Sequence, residues 1–236
     1  MLNVFLVLAL ATAVLLAIVS GARPAHALPP DFTVNTTTDE NLTLSTDTNC
    51  VSPSGCSLRA ALEAADNRGA VATTISVPFL SGTYNLDPTL GALQVGAVAG
   101  ETVTVTGNID PTITMAGCTE TLTLSCMIFF VDPSGNGGVT VTLSSITISG
   151  GHTALGGGGI LGGSLTATPD VLTVSNCTIT GNSATGGGNG GGISFAHGSL
   201  TVNNCGFNAN HATGGGNGGG IDFADSTGGD LSLIHI

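Results

Sequence analysis

The chain has 236 residues, of which 37 are Gly, 15 are acidic and only three are basic, giving a formal net charge of −12. Affinity for a phosphate backbone comes from cationic neutralisation, and no Lys or Arg follows Arg68. Nucleic-acid binding and attraction to anionic membranes are therefore not expected, whereas the abundant Thr, Ser, Asn and Gly suit a hydroxyl- and amide-rich surface outside the cell.

The first segment reads as an export signal. Residues Leu2 to Val19 are apolar apart from Asn3 and Thr12, and Ala25-His26-Ala27 has the small-x-small form of a signal peptidase site. That site favours a cleaved signal over a membrane anchor, although no Lys or Arg precedes the apolar run. The expected organisation is a signal peptide over residues 1–27, an N-terminal cap over 28–70 and a repeat domain over 71–236. Six cysteines in an exported chain fit an oxidising compartment. Cys50 and Cys56 flank Pro53 and Gly55 in a short loop, which predicts a disulfide. Cys118 and Cys126 bracket a segment able to turn back on itself, a second candidate pair. The spacing of Cys and His matches no zinc site, and no metal or cofactor is expected.

One helix is predicted, over Ser57 to Asn67, with Ser57 as N-cap ahead of strong helix formers. Arg59 is expected to pair with a carboxylate, Glu63 being four residues on. Short strand-like runs follow at Thr74–Val77, Thr102–Thr106, Thr112–Thr114, Ile128–Val131 and Val139–Ile148.

The decisive pattern is a repeat. LTVSNCTITGNSATGGGNGGGISFAHGS, at 172–199, aligns without gaps on LTVNNCGFNANHATGGGNGGGIDFADST, at 200–227, with 18 identical positions at a period of 28. A looser copy spans Val141 to Ile160. Each unit carries two-residue apolar faces, such as Leu172 with Val174 and Cys177 with Ile179, that one unit cannot bury alone. Stacking coils about 4.8 Å apart places Leu172 over Leu200, Cys177 over Cys205 and Ile193 over Ile221. The fold class expected is therefore all-β, a right-handed parallel β-helix, with the helix capping its open first coil. Asn182 with Asn210, and Asn189 with Asn217, are expected to stack at corners where Asn tolerates left-handed geometry. Cys177 and Cys205 are expected to stay reduced, packed as small apolar residues with Ile146 in the equivalent place one coil earlier.

These motifs resemble two families. Cys56 to Asn67, CSLRAALEAADN, resembles the CSLREA motif of secreted bacterial β-helix proteins, with Ala60 in place of its Glu. Phe32 to Thr36, Thr74 to Pro78 and Gly82 to Tyr84 fit the same N-terminal region. The repeats are similar to those of polymorphic outer-membrane proteins, which pair GGxI and FxxN elements. Here these are Gly191-Gly192-Ile193, Gly219-Gly220-Ile221 and Phe207 to Asn210, with Ile179 to Asn182 as a variant. The resemblance covers about residues 32–230. It implies an exported surface protein of adhesin-like or structural role with no shared catalytic residues; the polar Thr, Asn and Gly faces add the expectation that its partners are glycans or other cell-surface molecules. Membrane association is expected only through the signal segment or a C-terminal anchor beyond Ile236, because the last coil stops midway as in a truncated gene.

The rival class is a polysaccharide-active β-helix enzyme, a lyase or a glycoside hydrolase. Lyase chemistry beside a carboxylate needs cationic help, which the coils lack, and Asp222 with Asp225 would need a third acid. The sequence GGGNGGGID suggests calcium-binding nonapeptides, but Asp222 is replaced by Ser194 one coil earlier. His152, His197 and His211 share no repeat position and read as scattered turn residues.

Overall fold

The computed structural model describes residues 31–79, 82–115, 118, 126–163, 168–224 and 229–234. The expected signal segment, 1–27, lies outside the described residues.

The chain winds into about five stacked coils whose strands form four parallel sheets, three long ones and a short one of His152–Thr153, Ser183–Ala184 and His211–Ala212. The first sheet runs in strict chain order through Phe32–Thr33, Thr73–Val77, Thr102–Gly107, Thr140–Ser144, Asp170–Ser175, Gly198–Asn203 and Leu231–Ile234. The second stacks Thr83–Asn85, Thr112–Thr114, Thr147–Ser149, Thr178–Thr180 and Gly206–Asn208. The third stacks Leu93–Val95, Phe129–Val131, Ile160–Gly162, Ile193–Ala196 and Ile221–Ala224. A strand order that follows the chain in all four sheets is the signature of a parallel β-helix, as the 28-residue repeat predicts.

Alternation within each strand builds the core as columns. Ile75, Val105, Leu143, Val174 and Val202 stack in register on the inner side of the first sheet. Tyr84, Ile113, Ile148, Ile179 and Phe207 do so in the second. Leu93, Phe129, Ile160, Ile193 and Ile221 do so in the third. Leu172 pairs with Leu200 and Ile193 with Ile221, as the repeat requires. Phe195 needs room above it, and Gly162 supplies that room: a Cβ there would lie 2.8 Å from Val131 Cβ and 3.1 Å from the Phe195 ring.

The helix, α1, spans Leu58–Arg68, and Ser57 caps it by accepting the Ala60 N–H at 3.0 Å. Its apolar side packs on the strands Thr73–Val77 and Leu93–Val95, covering the first coil. The cap segment does more than cover. Phe32–Thr33 pairs with Thr73–Val77 and adds a strand to the first sheet, closing an edge that would otherwise expose unpaired backbone groups.

Candidate functional site

The Cys50–Cys56 and Cys118–Cys126 disulfides are both formed, with Cα separations of 5.1 and 5.7 Å. Cys177 and Cys205 are free and buried, on adjacent coils, and the Cys177 N–H donates to Cys205 Sγ at 3.4 Å. The interaction of its thiol with the Cys205 thiol, and then burial, hold the Cys177 thiol above its usual range. Ile146 occupies the matching place one coil earlier, its carbonyl accepting the Thr178 N–H.

The asparagine ladder is real, but its geometry differs from the expectation. Asn182 is buried and Asn210 half-buried, and neither has left-handed backbone. Asn182 Oδ1 accepts the Gly151 N–H at 2.9 Å, while its Nδ2 donates to Ile148 O and to Asn210 Oδ1. Asn210 repeats the pattern by donating to Ile179 O at 2.8 Å. These side chains satisfy backbone groups where the chain leaves the second sheet. Left-handed backbone falls instead on Gly181 and Ala209, directly before the two asparagines, and on Ser145, Asn176 and Asn204, at φ of 54°, 53° and 51°. The last three form the tight corner between first and second sheets, where each sits just before the buried Ile146, Cys177 or Cys205. Asn217 N–H donates to Asn189 Oδ1 at 2.8 Å, so that outer pair stacks, though neither residue has the left-handed backbone expected of it.

Arg59 does not pair with Glu63. Its guanidinium forms a fork onto Asp39, Nε to Oδ1 at 2.9 Å and Nη2 to Oδ2 at 2.8 Å, and it donates to the carbonyls of Leu90, Gly91 and Ala92. Arg59 and Glu63 are four positions apart on the helix, but Asp39 and the carbonyl cluster lie in the buried direction. A planar guanidinium with five donors is satisfied there rather than along the helix surface. Glu63 accepts the Leu42 N–H at 2.6 Å, and its carboxyl is raised mainly by burial. Beside them lies a cavity of about 190 Å³ lined by Asn41, Arg59, Glu63, Asp66 and Gln94, among others.

The histidines also required correction. His152, Ser183 and His211 pair in register on three successive coils, and His152 Nδ1 lies 2.6 Å from Ser183 Oγ. The shared column was hidden because 31 residues separate its first two members, whereas the visible repeat has a period of 28. His197 occupies a separate left-handed turn at φ 59°. Ser194 pairs directly with Asp222, so that acid has no carboxylate partner on the coil below. Asp225 lies outside the described residues. Among the described residues, no group of three His, Cys, Asp or Glu side chains could hold a metal ion.

The feature that repeats on the outside is a hydroxyl array. Thr74, Thr104, Thr142, Thr173, Thr201 and Ser232 form one unbroken outward column of the first sheet. Ser76, Thr106, Ser144 and Ser175 form the next, two residues along each strand. On the second sheet Thr83, Thr112, Thr147 and Thr178 line up in the same way. The polar faces are legible in the sequence but these columns are not, because coil lengths vary: Thr106 and Ser144 are 38 positions apart, Asn176 and Asn204 are 28.

No family model, no curated protein and no solved structure matches the chain. Among the described residues, no helix is long and apolar enough to cross a membrane.

Proposed function

We propose that this is an exported, non-catalytic surface protein of adhesin-like type, whose hydroxyl- and amide-bearing sheet faces contact neutral glycans or other cell-surface molecules. The observation that carries the reading is the outward column from Thr74 to Ser232. Its hydroxyls recur about every 4.8 Å on a rigid frame, so a chain-like ligand meets the same donor and acceptor repeatedly. Many weak, identical contacts then add through effective concentration. The two disulfides support an oxidising compartment, and the CSLREA-like and outer-membrane-protein-like motifs agree with export and display.

The test is a glycan-array measurement with the purified chain and with the triple variant T104V/T142V/T173V. Thr→Val keeps shape and removes the hydroxyl on partly exposed positions, so stability should change by only about 0.5 kcal/mol per site. Binding to neutral glycans by the parent, lost in the variant, is the expected result. Incubation with polyuronates and neutral polysaccharides, with and without calcium, addresses catalysis. Release of unsaturated or reducing ends above a buffer control would overturn the reading in favour of a polysaccharide-active enzyme.

A further inference from the structure

A pair of carboxyl groups, Glu101 buried and Asp66 half-buried, joins the cap to the solenoid. Asp66 lies in the last turns of α1, and Glu101 in the turn that leads into Thr102–Gly107. The two side chains converge on one turn, Ala97–Val98, and interact electrostatically there. Each also accepts a backbone N–H from the same turn, Ala97 N to Asp66 Oδ1 at 3.1 Å and Val98 N to Glu101 Oε2 at 3.4 Å. Glu101 is fully buried, and its Oε1 meets no N–H or hydroxyl donor.

Two carboxylates cannot both hold their charge in such a place. An ionised Glu101 would leave one oxygen bare of donors and water, beside a second negative group. A proton on Glu101 removes that charge and turns the side chain into a donor to Asp66. Among the described residues, no neighbouring cation relieves the pair. The two cations of α1, Arg59 and Arg68, are held by Asp39 at 2.8 Å and Asp31 at 3.2 Å. Glu63, on the same helix, adds a further negative charge near Asp66. The strands packed on α1, Thr73–Val77 and Leu93–Val95, carry no titratable side chain. Asp66 also lines the cavities beside Asn41 and Glu63, which give the proton a route to solvent.

We propose that Asp66 and Glu101 share one proton in a latch that fastens the helical cap to the first coils of the solenoid, tight at acid pH and released in alkali. Burial first, and then the Asp66 charge, raise the Glu101 carboxyl to about 8, and burial also raises Asp66. An opened cap returns Glu101 to roughly 4.3. A carboxyl raised in the closed state binds its proton more tightly there, so the stabilisation is complete below roughly pH 4.3. It declines as pH rises and is gone above about 8.

The experiment is amide hydrogen exchange on the full chain from pH 5 to 9.5, expressed as protection factors for α1 and for Ala97 and Val98. In the parent, protection should fall by up to about tenfold per pH unit between roughly pH 5 and 8 and then level off. E101Q, whose amide donates to Asp66 without a proton to lose, should keep protection flat across that range. D66N, which removes the neighbouring charge, should move the midpoint to lower pH, read independently from the Glu101 carboxyl carbon by NMR. A parent profile that is flat, or one that E101Q reproduces, overturns the latch. So does a Glu101 carboxyl that titrates near its ordinary value in the folded chain.

Discussion

Cys177 and Cys205 show how a column position governs a side chain's chemistry. Their neighbours Thr178 and Gly206 pair in register, so the two cysteines project from adjacent strands in the same direction. Stacked Cα atoms about 4.8 Å apart fall within disulfide range, but the bond also needs a dihedral near 90° that parallel side chains do not offer. Each thiol instead reaches backbone oxygen, Cys177 to Ser175 O at 3.2 Å and Cys205 to Asn203 O at 3.3 Å. Thiol labelling of the denatured, unreduced protein should therefore find two reactive cysteines, 177 and 205. Recovery of a 177–205 crosslinked peptide from a non-reducing digest would show that the ladder does oxidise. Arg59 makes the complementary point about charge. It is tolerated in the cap because five donors meet Asp39 and three carbonyls, so no part of the guanidinium is left unpaired.

At the scale of the element, the Gly-rich corner is set by two different demands. Gly181 has φ 63° with open space where a Cβ would go, so the demand there is conformational. Gly191 is not left-handed, yet a Cβ would sit 2.3 Å from His211 O and 2.6 Å from Gly219 O, so the demand is room for the next coil. Gly181→Ala should cost about 1–2 kcal/mol, the usual penalty for a left-handed residue with Cβ. Gly191→Ala should cost more, because two backbones in register must part. Denaturant unfolding of the two variants compares them directly, and a Gly191→Ala no worse than Gly181→Ala would refute the close-approach account.

Across the whole molecule, a solenoid contacts itself only between neighbouring coils. Leu143 is fully buried, with Val105 on one side and Val174 on the other. Leu143→Ala should therefore cost about 2–5 kcal/mol, and the loss should be local. Hydrogen exchange should show the greatest loss of protection in the strands Thr102–Gly107, Thr140–Ser144 and Asp170–Ser175. Uniform loss through all five coils would mean that the stack unfolds as one cooperative unit.

The repeat at 172–227 was sufficient to reveal the parallel β-helix, because apolar positions at a fixed period can be buried only by stacking. Ser57 with its helix formers was sufficient for α1, since capping and helix propensity act within a few residues. Cys50 and Cys56 could be paired from the sequence for the same reason of nearness. The partner of Arg59, the His152–Ser183–His211 column and the Thr74–Ser232 face could not be read this way. Each depends on registers set by loops of unequal length, and those loops leave no period in the chain. The Asp66–Glu101 pair was invisible for a stronger reason: neither acid is unusual alone, and only packing α1 against the turn before Thr102 removes the water that would keep both charged.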